Sequence, residues 1–243
     1  MNGKSIIITG ASRGIGKAIA LSFARQGYDV AICCKNSIQQ LEDVRKEIEG
    51  LSVSCLTFQG DMGDFVQADH FIQQSVQAFG TPDILVNNAG ISYFGLLQDM
   101  SPKDWNHLMN TNLTSVFNCC KSVIPHMLQT KSGKIYNISS VWGNVGASTE
   151  VAYSAAKGAI NSLTKALAKE LAPSGIQVNA IACGMIDTEM NHCLSAEDIL
   201  AITEEIPCGR MGTTDEVAKL ILQLSQGPDY LTGQVITLDG GWI

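Results

Sequence analysis

Short runs of apolar, often β-branched residues recur along the chain and alternate with longer segments of helical periodicity. The short runs are nearly continuous in their hydrophobicity, which is typical of strands buried on both faces of a parallel sheet. They predict seven strands, at residues 4–9, 29–34, 53–58, 83–87, 134–139, 176–182 and 234–238.

The segments between these runs predict amphipathic helices at residues 14–26, 37–49, 64–79, 102–130, 151–172 and 213–226. Ser101 and Pro102 suit the start of the fourth helix, and Pro173 and Gly175 end the fifth. The alternation, with no linker or repeat, predicts a single domain over residues 1–243 of the Rossmann-type, doubly wound α/β class. Ligands of such sheets bind beyond the carboxyl ends of the strands.

The composition fits a large core and argues against several classes of function. Apolar residues make up 45% of the 243 residues and charged residues only 16%. The net charge of −7 disfavours nucleic-acid binding, which needs a basic surface. No apolar run is long enough for a membrane helix or a signal peptide, so we expect a cytoplasmic protein.

The cysteines give no indication of a metal site. None of the eight forms a Cys-x-x-Cys pair, and none joins histidines at zinc-binding spacing. We expect reduced thiols in the core of a cytosolic protein.

A glycine-rich turn follows the first predicted strand. Residues 9–16 read Thr-Gly-Ala-Ser-Arg-Gly-Ile-Gly and lead into a predicted helix. Gly10, Gly14 and Gly16 permit a tight turn and close approach to a pyrophosphate, while the helix N-terminus offers free N–H groups. The context predicts a dinucleotide site, and the alternative is a purely structural turn.

The end of the second predicted strand bears on which nicotinamide dinucleotide binds. NAD-specific proteins carry an acid there, on the ribose 2′-hydroxyl, whereas this strand ends in Cys33, Cys34, Lys35 and Asn36. Lys35 would attract a 2′-phosphate, and Arg13 can offer a second, forked contact. We therefore expect NADP(H), the alternative being that both cations are solvated surface charges.

These motifs resemble those of the short-chain dehydrogenase/reductase family over essentially the whole chain. The family pattern Thr-Gly-x-x-x-Gly-x-Gly stands at residues 9–16, and Asn-Asn-Ala-Gly ends the fourth strand at residues 87–90. Tyr153 and Lys157 form Tyr-x-x-x-Lys, and Ser140 lies thirteen residues before the tyrosine. The resemblance implies an oxidoreductase that interconverts ketones and alcohols.

The resemblance also implies a catalytic set. Tyr153 and Lys157 are four residues apart on a predicted helix, so they share a face on which the ammonium would lower the pKa of the phenol. Ser140 would bind the substrate carbonyl, and Lys157 would also hold the nicotinamide ribose. Asn112, in the long predicted helix, would position a water of the proton relay. An isolated Tyr-x-x-x-Lys is more often an ordinary exposed pair, but Ser140 and the glycine turn favour catalysis.

The resemblance further implies contacts to the dinucleotide. Asp61 holds the position that contacts the adenine ring, although it could also cap the helix predicted from residue 64. Ile186 and Thr188 hold positions that contact the nicotinamide carboxamide, while Cys183 replaces the proline usual in that loop. The implied set is Gly10, Ser12, Arg13, Gly14, Ile15, Gly16, Lys35, Asp61, Met62, Asn88, Ala89, Gly90, Tyr153, Lys157, Gly184, Ile186 and Thr188.

Two regions are expected to border the substrate. The resemblance implies a mobile lid at about residues 189–212, and the alternative is an amphipathic helix that only connects two elements. This segment contains Met190, His192, Leu194 and Ile199. Pocket-lining residues, or else core residues, are expected at Ser92, Tyr93, Phe94, Val141 and Trp142.

The sequence does not decide whether the substrate is a free ketone or a ketone linked to a carrier or another protein. The chain resembles bacterial reductases of 3-oxoacyl groups on acyl carrier protein; Lys131 could meet that acidic carrier, but residues 173–175 lack the arginine of carrier-binding relatives. Residues 139–143 and 240–242 are also similar to a paralogue that reduces a 5-aminopentanone group on elongation factor P. A steroid or other small-ketone reductase and a non-enzymatic nucleotide sensor are further alternatives.

Two long predicted helices carry apolar residues on more than one face: Leu113, Val116, Phe117, Ile160, Leu163 and Leu167. The family resemblance implies a homotetramer assembled partly through these helices. The alternative is that the extra apolar faces only pack on the sheet.

Overall fold

The computed structural model describes residues 3–191 and 194–243. His192, which the sequence places in the lid, lies outside the described residues. The described chain forms one parallel sheet of seven strands in the order β3-β2-β1-β4-β5-β6-β7, which confirms the predicted fold class. The strands are β1 Ser5–Ile8, β2 Asp29–Cys34, β3 Cys55–Gln59, β4 Ile84–Asn87, β5 Gly133–Ser140, β6 Ile176–Cys183 and β7 Val235–Leu238.

Helices cover both faces of this sheet. They are α1 Gly14–Ala24, α2 Ile38–Glu49, α3 Phe65–Phe79, α4 Pro102–Met109, α5 Ser115–Thr130, α6 Trp142–Val145, α7 Val151–Leu171, α8 Ala196–Glu205 and α9 Thr214–Ser225. Successive strand residues point to opposite faces, so Ile6 and Ile8 of β1 pack with α1 and α9, while Ile7 packs with α3 and α5. None of the helices in the described chain is long and apolar enough to cross a membrane.

The strand order places a crevice beside β1. This strand pairs with β2 on one side and with β4 on the other, so the chain turns in opposite directions after β1 and β4. A doubly wound sheet opens its ligand crevice at this point, beyond the carboxyl ends of the strands. The glycine turn, which follows β1, therefore stands at the crevice.

The helix predicted over residues 102–130 is not continuous, which corrects the sequence analysis. A π-helical turn at Asn110–Thr114 separates α4 from α5. Within it, the Asn112 side chain accepts a hydrogen bond from the Ile91 N–H and donates one to the Ile91 carbonyl, both at 2.8 Å. Side-chain pairing with the loop after β4 thus accompanies the local widening of the helix. Ser101 does cap α4, accepting from the Asp104 N–H at 3.1 Å.

Candidate active site

The turns after β1 and β4 are locked together by short contacts. The Thr9 hydroxyl oxygen accepts hydrogen bonds from the N–H groups of Asn88 and Ala89, both at 3.0 Å. The Asn88 amide donates to the carbonyls of Thr9 at 3.0 Å and Gly10 at 2.9 Å. Gly10 has φ +66°, and an added Cβ would lie 2.8 Å from Ala89 Cα. Only glycine fits where these two turns meet.

The start of α1 offers a cradle for an anion. Gly14 has φ +56°, and a Cβ added to Gly16 would lie 2.5 Å from the Gly10 carbonyl oxygen, so the backbone here is tightly folded. The first turn of α1 contains no acidic residue among its described positions. Unpaired N–H groups at a helix N-terminus favour phosphate. The residues present therefore fit the pyrophosphate of a dinucleotide.

A cleft of about 630 Å³ extends from this turn along the carboxyl ends of the strands. Its volume lies in the range of cofactor and small-molecule sites. Most of the residues predicted for the site share its wall: Gly10, Ser12, Arg13, Gly14, Ile15, Lys35, Asn88, Ala89, Gly90, Ser140, Tyr153, Lys157, Gly184, Ile186 and Thr188.

Four predicted residues are not among the described residues that form the wall: Gly16, Asp61, Met62 and Asn112. Met62 is buried, and its carbonyl accepts a hydrogen bond from the Asn118 amide at 2.9 Å. Asp61 follows β3 and accepts from the Gly63 N–H at 2.9 Å, whereas Asp64 is the residue that caps α3.

Each of the two cations near the end of β2 is paired with a carboxylate. Arg13 Nε lies 2.8 Å from Glu189 Oε2, and Lys35 Nζ lies 2.7 Å from Asp61 Oδ2. Burial raises the pKa of Asp61, but the hydrogen bonds from Lys35 and Gly63 outweigh it and hold this pKa below its usual value.

Tyr153, Ser140 and Lys157 meet in the middle of the cleft. Tyr153 and Lys157 lie one turn apart on α7, and Ser140, at the end of β5, lines the same part of the cleft and lowers the pKa of the Tyr153 hydroxyl. Lys157 is only 4% exposed. Its Nζ donates to the Ile138 carbonyl at 2.8 Å and lies 5.4 Å from the centre of the Tyr153 ring.

The electrostatics of this group differ from the expectation that Lys157 lowers the pKa of the phenol. Burial raises the pKa of Tyr153 well above its usual value, Glu150 and Cys183 raise it further, and Ser140 lowers it. Burial also lowers the pKa of Lys157 to about 8. Desolvation is thus the largest influence on the pKa of each group.

A buried amide holds the three elements of this group in register. Asn161 of α7 accepts a hydrogen bond from the Ser139 hydroxyl at 2.6 Å. It also donates to Asn144 Oδ1 of α6 at 2.9 Å. The end of β5, the short α6 and the face of α7 that carries Tyr153 are thereby tied together.

The outer part of the cleft includes most of the residues expected to border the substrate. Ser92, Phe94, Val141 and Trp142 line it, whereas Tyr93 packs in a separate cluster around Leu108. In the segment expected to be a lid, the described wall includes Met190 and Leu194 but not Ile199. That segment contains α8, which begins with a capping box in which Ser195 and Asp198 bond each other's N–H groups.

Sequence reasoning gave no role to a carboxyl group in this outer part. Glu150 is 8% exposed and lines the cleft together with Trp142. Burial raises its pKa to about 7. The ring centres of Trp142 and Trp242 are 4.9 Å apart, and Trp242 Nε1 donates to Glu205 at 3.3 Å. Glu150 lies three residues before Tyr153, so the sequence could have indicated that it is near the site. No motif near Trp242 in the sequence indicates that this residue reaches the cleft.

No group of three or more His, Cys, Asp or Glu residues in the described part of the chain could hold a metal ion. The thiol of Cys183 is buried in the cleft wall near Lys157, and burial raises its pKa to about 12. This thiol is therefore protonated near neutral pH and a poor nucleophile.

Comparison with known proteins identifies a family and several relatives that match nearly the whole chain. Residues 4–198 match the family model described as short chain dehydrogenase. A 3-oxoacyl-[acyl-carrier-protein] reductase FabG of Staphylococcus aureus is 41% identical over 239 residues, which cover 98% of this chain and 97% of that protein. The FabG reductase of Thermotoga maritima is 41% identical over 244 residues, covering 100% and 99%. That of Chlamydia trachomatis is 41% identical over 241 residues, covering 98% and 96%.

Proposed function

We propose that this chain, which belongs to the short-chain dehydrogenase family, reduces a ketone to a secondary alcohol with NADPH. The observation that carries the proposal is that Ser140, Tyr153 and Lys157 come together in the cleft that begins at the glycine turn. A nucleotide sensor would need the turn but not this group of proton-transferring side chains.

Different parts of the cleft would bind the phosphate-bearing part and the nicotinamide part of the dinucleotide. The glycine turn and the N-terminus of α1 would hold the pyrophosphate, and Arg13 and Lys35 would hold the 2′-phosphate. Lys157 would hold the nicotinamide ribose, near Thr188 and Ile186. When bound, NADPH supplies the hydride for the carbonyl carbon.

The side chains of this chain would supply the proton. Ser140 donates a hydrogen bond to the substrate carbonyl oxygen and stabilises its developing negative charge. Tyr153 gives its phenolic proton to that oxygen and becomes a phenolate, which the Lys157 ammonium stabilises. The proton would be restored from solvent along a path that passes Asn112. Because the Asn112 side chain is already hydrogen-bonded to the backbone of Ile91, the backbone of Asn112 would be the part that contributes to this path.

The comparisons favour a 3-oxoacyl group as the ketone. The 41% identical relatives carry the name 3-oxoacyl-[acyl-carrier-protein] reductase and match over nearly their whole length. Lys131 does not help to bind a carrier at the cleft of its own chain, which corrects the sequence analysis. It directly follows α5 at the amino end of β5, whereas the cleft lies at the carboxyl ends of the strands.

A second candidate is reduction of the 5-aminopentanone group on elongation factor P, and one observation favours it. Glu150 forms no ion pair within the described chain, although it lines the cleft between Tyr153 and the two indole rings of Trp142 and Trp242. A buried carboxylate gains stability from a cationic ligand, and indole faces attract ammonium groups. A ketone with a terminal ammonium would suit this end of the cleft better than an uncharged acyl chain.

One substrate panel tests both candidates. The chain is assayed with NADPH and with acetoacetyl thioester, aminopentanone-modified elongation factor P, a steroid ketone and a simple ketone. Preference for the thioester supports the first candidate, and preference for the modified protein supports the second. Failure to oxidise NADPH with every ketone would contradict the proposal of a reductase.

Three further features belong to this proposal. Residues 189–212 act as a substrate lid on a single catalytic domain. The chain assembles as a homotetramer in the cytoplasm. Half-exposed Phe117 on α5 supports an interface at this helix, because the sheet leaves that side chain uncovered.

A further inference from the structure

Arg13 is shared between two surroundings of opposite character. On one side its Nη1 donates to Ser37 Oγ at 3.1 Å and to Gln40 Oε1 at 3.3 Å. Ser37 immediately precedes α2, whose first turn contains no acidic residue in the described chain, so this side favours an anion. On the other side Arg13 Nε lies 2.8 Å from Glu189 Oε2.

Glu189 reaches Arg13 from a distant part of the chain. It begins the short 3-10 turn at Glu189–Asn191, after β6, and it lines the same cleft as Arg13. A phosphate placed between Arg13 and Ser37 would therefore stand near a carboxylate that already holds part of the guanidinium. Two anions that compete for one cation weaken each other's binding.

We propose that Glu189 is a specificity-determining residue that competes with the 2′-phosphate of NADPH for Arg13. The inference rests on the proposed function, because it takes NADPH to be the dinucleotide of this cleft. NADH has a hydroxyl in place of that phosphate, so it would leave the Arg13–Glu189 pair undisturbed. Glu189 thus reduces the preference for NADPH that Arg13 and Lys35 would otherwise confer.

The exposure of the pair limits the size of the effect. The Arg13 and Glu189 side chains are 50% and 47% exposed, and exposed ion pairs are weak and screened by salt. We expect removal of the Glu189 charge to tighten NADPH binding by roughly two- to fivefold at low ionic strength. High ionic strength should shrink that gain.

The test compares Glu189→Gln with Glu47→Gln in the full-length protein. Glu47 forms an ion pair with Lys17 at the same 2.8 Å, with side-chain exposures of 36% for Lys17 and 48% for Glu47. It therefore controls for the loss of one exposed carboxylate. Fluorescence titration gives the Kd of each variant for NADPH and for NADH, at low and high ionic strength.

The expected result is a lower Kd for NADPH in Glu189→Gln alone, with the Kd for NADH as in the wild type. An unchanged or higher Kd for NADPH overturns the inference, as does an equal shift for NADH or for Glu47→Gln. If the wild type binds NADPH and reduces ketones but Glu189→Gln shows no shift, only this inference fails. If the wild type binds neither dinucleotide, the proposed function fails with it.

Discussion

The ammonium nitrogen of Lys157 lies 5.4 Å from the centre of the Tyr153 ring and gives its hydrogen bond to the Ile138 carbonyl, not to the phenol oxygen. The lysine is thus held rigidly beside the tyrosine by the backbone of β5. The phenol, whose pKa burial raises, stays protonated near neutral pH and is ready to act as an acid.

Replacement of Tyr153 by phenylalanine should abolish turnover while NADPH still binds. The substitution removes the proton donor but keeps the ring against Lys157. We expect kcat to fall by about a thousandfold or more, in line with the loss of an essential general acid. Steady-state kinetics and fluorescence titration measure the two effects. Retained turnover would show that Tyr153 is not the acid.

Replacement of Arg13 by alanine should weaken NADPH binding by roughly tenfold, the usual value of a charge-assisted contact. NADH binding should change little, because its ribose carries no phosphate. The Kd values of both dinucleotides are measured by titration, with Lys17→Ala as a control that removes a nearby cation of α1. Equal losses for NADPH and NADH would exclude a phosphate-specific role of Arg13.

Replacement of Gly16 by alanine should damage both the fold and dinucleotide binding. The new Cβ would lie 2.5 Å from the Gly10 carbonyl oxygen and 2.6 Å from Asn88 Nδ2, so the locked turns must separate. We expect a loss of about 1–3 kcal/mol in the free energy of unfolding. Urea denaturation measures it, with Gly3→Ala as the control because its Cβ meets nothing closer than 3.6 Å. Wild-type stability of Gly16→Ala would contradict the close packing of this turn.

Stability should depend on pH through Glu150. The pKa of this carboxyl is raised from 4.5 to about 7 by burial, so the folded state holds a proton that the unfolded state releases. Its contribution to stability is full below pH 4.5 and is lost as pH rises towards about 7. Glu150→Gln should therefore be more stable than the wild type at about pH 8, by at most about 3 kcal/mol.

The same difference should vanish at about pH 4, where the carboxyl is neutral in both states. Denaturation curves at the two pH values measure it, and Glu170→Gln, an exposed position on α7, the helix that begins directly after Glu150, is the control. A difference that does not change with pH would contradict the shifted ionisation of Glu150.

The proposed assembly predicts that an arginine at Phe117 separates the subunits. Phe117 is 50% exposed on α5, with the Lys121 ammonium 5.6 Å from its ring centre. Sedimentation velocity should show a tetramer for the wild type and smaller species for Phe117→Arg. Leu51→Arg, beyond the end of α2, should remain tetrameric. A monomeric wild type would contradict the assembly.

The sheet was predictable because its signals are local. Continuous apolar runs identified all seven strands within two residues at each end. The bounds of β2, Asp29–Cys34, are the same as those predicted. The glycine turn was equally readable, since φ values of +66° at Gly10 and +56° at Gly14 are ones that glycine adopts freely. Strand order and the parallel topology then bring the ends of separate motifs into one cleft.

The features that sequence could not supply depend on contacts between distant residues. The break at Asn110–Thr114 goes with the pairing of Asn112 and Ile91, which no helical periodicity reveals. The raised pKa of Tyr153 reflects the desolvation of the phenol by the residues around it, whereas the spacing to Lys157 shows only that a cation is near. The Arg13–Glu189 pair joins residues that lie far apart in the sequence.

The π-helical turn at Asn110–Thr114 makes chain length a constraint in its own right. Removing one residue there would let α4 and α5 wind as one regular helix, and α4 would rotate by about 100° about its axis. Leu108, buried against Ala152 and Ala156 of α7, would then leave its contacts. A deletion in this stretch should therefore be tolerated far less than a substitution of any single exposed residue beside it, which makes insertion and deletion scanning an informative way to map this region.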